Sequence, residues 1–125
     1  MSNQTAMLGR ILLGLLFVVA GVRKVMGLGG TIGYIGSKGL PIPEILAYAT
    51  IALEIIAGLA LIFNRFTVPA SYVLAAFCIA TAVLFHNFWA AAPQAFNGEL
   101  NNFLKNLALA GGFLVTASHH DSRAA

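Results

Sequence analysis

Charge is what this sequence has least of. Seven Lys/Arg and four Asp/Glu make up 9% of its 125 residues, while 59% are hydrophobic. A water-soluble domain carries about 25% charged residues, so these few cannot clothe a chain of this size in water. The mean hydropathy of +0.87 agrees. The natural exterior is lipid. The pI near 9.4 reflects scattered cations that form no stripe able to neutralise phosphates, which excludes nucleic acid as a partner. Cysteine is nearly absent: Cys78 stands alone. One copy therefore holds no internal disulfide, no CxxC pair and no thiolate metal cluster. Cys78 itself is expected to pack as a small hydrophobe. No bis-His pattern on facing helices supports haem, and His119-His120 reads as a solvated tail dipeptide. Neither haem nor a metal is expected.

What the chain has instead is four apolar segments: Met7 to Val22, Ile45 to Phe63, Phe66 to Phe85 and Phe103 to Ser118. About 20 apolar residues cross a ~30 Å hydrocarbon core. The second and third segments satisfy this directly, and the shorter first and fourth draw flanking polar residues into the interface. Pro69 falls in the first turn of the third, where a missing N–H costs little. The expected fold is all-α: one polytopic membrane domain over residues 1–125, a bundle of four transmembrane helices at roughly 7–26, 44–63, 66–87 and 102–118. Asn64-Arg65 alone joins the second and third helices, which makes them an antiparallel hairpin. The first and second are joined by Gly27 to Glu44, with six glycines and two prolines. There Thr31 is expected to cap a short helical turn that runs to Lys38 and ends at Gly39. The stretch reads as interfacial or shallowly re-entrant.

Two further expectations concern the membrane itself. Val18-Val19-Ala20 resembles a leader cleavage site, but Arg23-Lys24 would follow the cut at once and three more spans come after it, so the first helix is expected to be retained. Arg10, Arg65 and Arg123 lie on the side of both termini, and Arg23, Lys24, Lys38 and Lys105 on the other. If Lys24 and Lys105 serve as interior counter-ions they cease to be topology signals, and the remaining cations favour cytoplasmic termini.

Glu54 is the anomaly. It is the tenth residue of a nineteen-residue run, Ile45 to Phe63, that holds no other charge. A central acid in a membrane helix costs roughly 2.5–3.5 kcal/mol to insert, so such a group turns inward and finds partners. Its face carries Ala47, Thr50, Ala57 and Gly58, small enough to let a neighbouring helix come close. On the first helix Arg10, Gly14, Phe17, Gly21 and Lys24 share one stripe. The third aligns Ala75, Cys78, Ala82 and His86; the fourth aligns Asn101, Lys105, Ala108, Gly112 and Thr116. Lys24, His86, Asn102 and Lys105 fall toward one membrane face, with Glu54 nearly 15 Å deeper by helical rise. Arg10 lies on the other side of Glu54. The candidate interior polar site is Glu54, Lys24, His86, Asn102, Lys105 and Arg10, without an assignable catalytic residue. The plainer alternative is interfacial anchoring for Arg10, Arg23 and Lys24.

Several patches then carry a resemblance. They are Arg10 with Gly21-Val22-Arg23-Lys24, Gly30-Thr31 to Tyr34, Gly39-Leu40-Pro41-Ile42-Pro43, and Glu54 with Gly58. Asn64-Arg65-Phe66-Thr67, His86-Asn87-Phe88-Trp89, Asn102-Phe103-Leu104-Lys105-Asn106 and Ala110-Gly111-Gly112 follow. In this order and spacing the chain resembles the DoxX family of small four-helix bacterial inner-membrane proteins. The resemblance implies a multi-pass inner-membrane location and, through relatives such as a subunit of a thiosulfate:quinone oxidoreductase and members of oxidative-stress complexes, a link to membrane redox chemistry. Two readings stand side by side. In one, a quinone or similar lipophile binds the polar interior, with Phe88, Trp89 and Phe103 flanking its ring. In the other, the chain is a non-catalytic membrane subunit or scaffold that recruits a partner enzyme, and Glu54 is structural. The candidate partners are the bilayer, a redox protein and further copies of the chain.

Overall fold

The computed structural model describes residues 3–124; the side chains of Asn3 and residues 121–124, that of Arg123 among them, lie outside the described set. Within it the chain is helical, with no strand among the described residues. Helix α1 spans Asn3–Met26, α2 Leu28–Ser37, α3 Pro43–Ile62, α4 Thr67–Phe85 and α5 Phe96–Ala124, with 3-10 turns at Phe88–Ala90 and Pro93–Ala95 before α5. Three stretches are long and apolar enough to cross a membrane: Gln4–Met26, Pro43–Ile62 and Thr67–Ala90. The described residues thus form five α-helices where four were expected, and three stretches long and apolar enough to cross a membrane.

Both differences have physical causes. The glycine-rich linker closes into a full helix, longer than the turn expected from Thr31 to Lys38, because Ile35 gives it one buried anchor. Thr31 is not its cap: the Thr31 hydroxyl donates back to the Gly27 carbonyl at 3.2 Å. Gly39 does follow the helix in the left-handed region, at φ +76°. At the other end α5 extends six residues ahead of position 102, to Phe96, and continues past Ser118. Backbone hydrogen bonding does not stop where apolarity stops, and Pro93 is the nearest upstream breaker. α5 is not among the three apolar stretches: its first three turns carry Asn97, Glu99, Asn101, Asn102, Lys105 and Asn106.

Packing is organised as two antiparallel pairs, α1 on α3 and α4 on α5, with α3 and α4 linked by the short turn after Ile62. Asn64 (φ 57°) and Phe66 (φ 55°) take left-handed backbone there. The Arg65 N–H donates to the Ala60 carbonyl at 2.8 Å, and the Thr67 hydroxyl to Asn64 Oδ1 at 2.7 Å. Phe17 ties the pairs together, packing edge-on against Phe77 (6.4 Å) and Phe113 (5.4 Å). Around it lie Leu61, Leu74, Cys78, Ala110 and Phe113, all buried. The outer faces carry Leu8, Leu12, Leu15, Ile56, Val83 and Val115, all exposed in the isolated chain and suited to lipid.

Candidate functional site

Glycine decides how α1 meets α3. A Cβ on Gly14 would stand 2.6 Å from the Gly58 carbonyl oxygen, and one on Gly58 would stand 2.8 Å from the Gly14 oxygen. Two backbones can approach this closely only where both side chains are missing. Two turns further along α1, a Cβ on Gly21 would lie 2.6 Å from Ile55 Cγ1 and 3.4 Å from Glu54 Cβ. Glu54 is therefore level with Gly21, one turn from the end of α1. Helical side chains lean toward the N-terminus, so Lys24 reaches back along α1 toward it. Its Nζ lies 2.9 Å from Glu54 Oε1. The contact is an ion pair by distance rather than an aligned hydrogen bond, since Oε1 has no partner of hydrogen-bond geometry. Glu54 is 3% exposed and the Lys24 side chain 33%, so the pair is covered at the carboxylate and open at the lysine. The depth expected from helical rise overstated the separation of these two groups.

Glu54 and Lys24 form one wall of a cavity of about 220 Å³. Phe17, Phe77 and Phe85 supply its rings; Thr50, Thr81 and Asn106 supply polar groups from α3, α4 and α5. Asn106 Nδ2 donates to the Thr81 hydroxyl at 3.2 Å, and Thr81 donates to the Phe77 carbonyl at 2.9 Å. Helix α2 closes one side with Thr31, Tyr34 and Ile35. The Tyr34 hydroxyl donates to the Phe85 carbonyl at 3.2 Å, and its ring lies 5.3 Å from that of Phe85. Burial first, and then the Glu99 carboxylate, push the Tyr34 phenol above its ordinary pKa. His86 also lines the cavity, its Nδ1 3.3 Å from Glu99 Oε1. Among the described residues no cluster of three His, Cys, Asp or Glu side chains is disposed to hold a metal.

The structure gathers Glu54, Lys24 and His86 from the expected set and disperses the others. Arg10 donates to the Leu61 and Ile62 carbonyls, the latter at 3.1 Å, and so serves the open C-terminal end of α3. Asn102 lines a separate shallow hollow with Lys38, Asn87 and Glu99. Lys105 is exposed. The stripe expected on the last helix is one residue out of phase: Asn106, Ala110, Phe113 and Ala117 turn inward, not Asn101, Lys105 and Ala108. Phe88, Trp89 and Phe103 do meet, with centroids 5.2–5.9 Å apart, but in a cluster with Phe96 beside the 3-10 turn. The rings at the cavity are other ones. Sequence reasoning missed Asn106, Glu99 and Tyr34. Asn106 carried a signal, a polar group next to Lys105 between Leu104 and Leu107.

The DoxX family model matches residues 5–87, which covers α1 to the end of α4. "Inner membrane protein YphA" of Escherichia coli (strain K12) is 32% identical over 111 residues, 89% of this chain and 79% of that protein. "Inner membrane protein YqjF" of the same organism is 35% identical over 111 residues, 89% of this chain and 80% of that protein. A shorter match, 40% identical over 58 residues, joins 46% of this chain to 42% of "Putative oxidoreductase CatD" of Bacillus subtilis (strain 168). No solved structure matches the chain significantly.

Proposed function

The chain belongs to the DoxX family, and we propose that it is a multi-pass inner-membrane protein whose interior cavity binds the ring of a lipophilic quinone. The names of YphA and YqjF support the location. Helix α5, at 29 residues, is about 43 Å long. That suffices for a fourth crossing with its polar first turns in the interface, and it would bring both termini to one side, the cytoplasmic one.

One observation carries the reading: a carboxylate and an ammonium face a cavity inside the membrane region whose aromatic walls are interrupted by the polar groups of Thr50, Thr81 and Asn106. An apolar cavity of about 150 Å³ already takes benzene, so 220 Å³ suits a substituted six-membered ring. Phe17, Phe77 and Phe85 offer faces and edges to such a ring. Lys24 donates to a carbonyl oxygen, and Glu54 accepts from the O–H of the reduced form. A proton can pass between ring oxygen and pair without entering lipid. His86, held by Glu99, stands toward the membrane face, where such a proton would meet water. The name of the CatD protein and the residue patches shared with the family support a redox setting, in which a separate redox protein supplies the electrons.

A second reading rests on the same 2.9 Å ion pair: Glu54 ties α1 to α3 and the protein acts as a scaffold for a partner enzyme. Titrating a short-chain quinone into the detergent-purified protein separates the two. On the binding reading, Glu54→Gln weakens quinone affinity at least about tenfold, the loss of a charge-assisted hydrogen bond of roughly 1.5–3 kcal/mol, and Lys105→Ala leaves it unchanged. If the ligand does not bind, or if Glu54→Gln lowers the Tm and leaves affinity intact, the scaffold reading stands instead.

A further inference from the structure

The polar groups of the Glu54 cavity come in two sets, one from each packing pair. Lys24 and Glu54 stand on α1 and α3; Thr81 and Asn106 stand on α4 and α5. The first set is an ion pair at 2.9 Å. The second is neutral, and its hydrogen bonds fix how it can act.

A threonine hydroxyl has one hydrogen to donate and an asparagine amide has two. Thr81 turns its hydrogen to the backbone of its own helix, toward the Phe77 carbonyl at 2.9 Å and the Cys78 carbonyl at 3.2 Å, a bond that threonine commonly makes within a helix. Toward α5 it can therefore only accept. Asn106 must offer its nitrogen there, and Nδ2 lies 3.2 Å from the Thr81 hydroxyl. The network thus settles which end of the amide is which. Among the described residues this is the one hydrogen bond of the Asn106 side chain. A second N–H and the oxygen Oδ1 are left over, on a side chain that lines the cavity. Tying α5 to α4 takes one of the three groups of this amide; the other two can meet a ligand.

We propose that Asn106, oriented by Thr81, binds a second oxygen of the ligand, so that the cavity is built for a six-membered ring with oxygens on opposite edges, a para-quinone or its quinol. This rests on the cavity being a quinone site, and adds what recognises the far edge of the ring. The spare N–H donates to a ring carbonyl; Oδ1 accepts from the hydroxyl that stands there in the reduced form. A neutral amide serves both forms without exchanging a proton, while Lys24 and Glu54 meet the other oxygen with charge. Asn106 touches the ligand, and Thr81 is a positioning residue that acts through it.

The test compares two rings on the detergent-purified full chain without oxygen: tetramethylhydroquinone, and the tetramethylphenol that lacks one of its two hydroxyls. Asn106→Leu should weaken the hydroquinone about threefold to tenfold, the loss of one neutral hydrogen bond, and leave the phenol unchanged. Thr81→Val keeps the side-chain shape and should act in the same direction; it decides alone if Asn106→Leu does not fold, which the Tm shows. Glu54→Gln should weaken both rings, because each keeps the oxygen at the ion pair. Gly111→Leu, in the separate groove between α1 and α5, should change neither affinity. If Glu54→Gln weakens both rings while Asn106→Leu and Thr81→Val affect them alike or not at all, the quinone site stands and the second subsite is overturned. If neither ring binds, or Glu54→Gln changes nothing, or Gly111→Leu alone removes binding, the quinone site itself falls and the subsite with it.

Discussion

One helix, α1, carries a cation to each end of the bundle, and the two are offset in opposite ways. Lys24 meets a buried carboxylate, Glu54, at 2.9 Å. Arg10 meets backbone, the Leu61 and Ile62 carbonyls at the C-terminal end of α3. The first arrangement leaves a titratable pair on a cavity wall, able to take part in proton exchange. The second satisfies orphan carbonyls and the negative end of the helix dipole. A charge inside the membrane region is thus informative only with its counter-charge. Two cations on one stripe of one helix have unlike roles because one helix partner presents a side chain and the other a terminus.

The largest effect should come from breaking the contact that sets both ends at once. Gly58→Val forces side-chain atoms against the Gly14 carbonyl, which even a Cβ would approach to 2.8 Å. Overpacking costs about 1–3 kcal/mol or more, and here the obstacle is backbone that cannot swing aside. The variant should lose much of its thermal stability, together with the Lys24–Glu54 and Arg10 contacts. Gly9→Ala, with nothing within 4 Å, is the matched control and should leave the Tm unchanged or slightly raised. If the two variants melt alike, the α1–α3 crossing is not the clamp described here.

A smaller effect separates the interior of α5 from its exterior. Asn106→Ala removes the donor to Thr81 and should lower stability by about 0.5–1.5 kcal/mol. Lys105→Ala, one residue away and exposed, should stay within about 0.5 kcal/mol of the parent. The reverse ranking would restore the phase in which Lys105 points inward. The smallest effect belongs to α2, the wall of the Glu54 cavity, which has no counterpart at the Arg10 end. Gly29→Ala and Gly33→Ala meet no neighbouring atom, and should each steady that helix by about 0.5–1 kcal/mol. Slower amide exchange confined to α2 would show it. Faster exchange would mean that the glycines answer a contact outside the chain.

The sequence made much of this legible, for identifiable reasons. Small residues on one helical face have few uses other than close approach, so Gly14, Gly21 and Gly58 pointed to the α1–α3 seam and to Glu54 within it. The α4 stripe of Ala75, Cys78, Ala82 and His86 was likewise readable from its small residues, although Thr81, which also lines the cavity, was not picked out. The last helix was ambiguous. Asn101, Asn102, Lys105 and Asn106 occupy adjacent phases, and a rotation of one residue exchanges Lys105 for Asn106. Only packing against Thr81 and Phe17 chooses between them. The role of α2 was hidden because the stretch read only as a short interfacial turn, while the residues that line the cavity, Thr31, Tyr34 and Ile35, become neighbours of Glu54 only through tertiary contact. The fate of Arg10 was hidden for a related reason: backbone carbonyls are partners that composition never displays.

The most direct test uses a photoreactive short-chain quinone, irradiated on the purified protein and mapped by peptide mass spectrometry. If the ring occupies the Glu54 cavity, adducts fall on the segments of α3 and α4 that line it, around Thr50 to Glu54 and Phe77 to Thr81, and Glu54→Gln removes them while the protein remains folded. Adducts confined to the groove between α1 and α5, or labelling of the cavity that Glu54→Gln leaves undiminished, would contradict the assignment of that carboxylate to a ligand site.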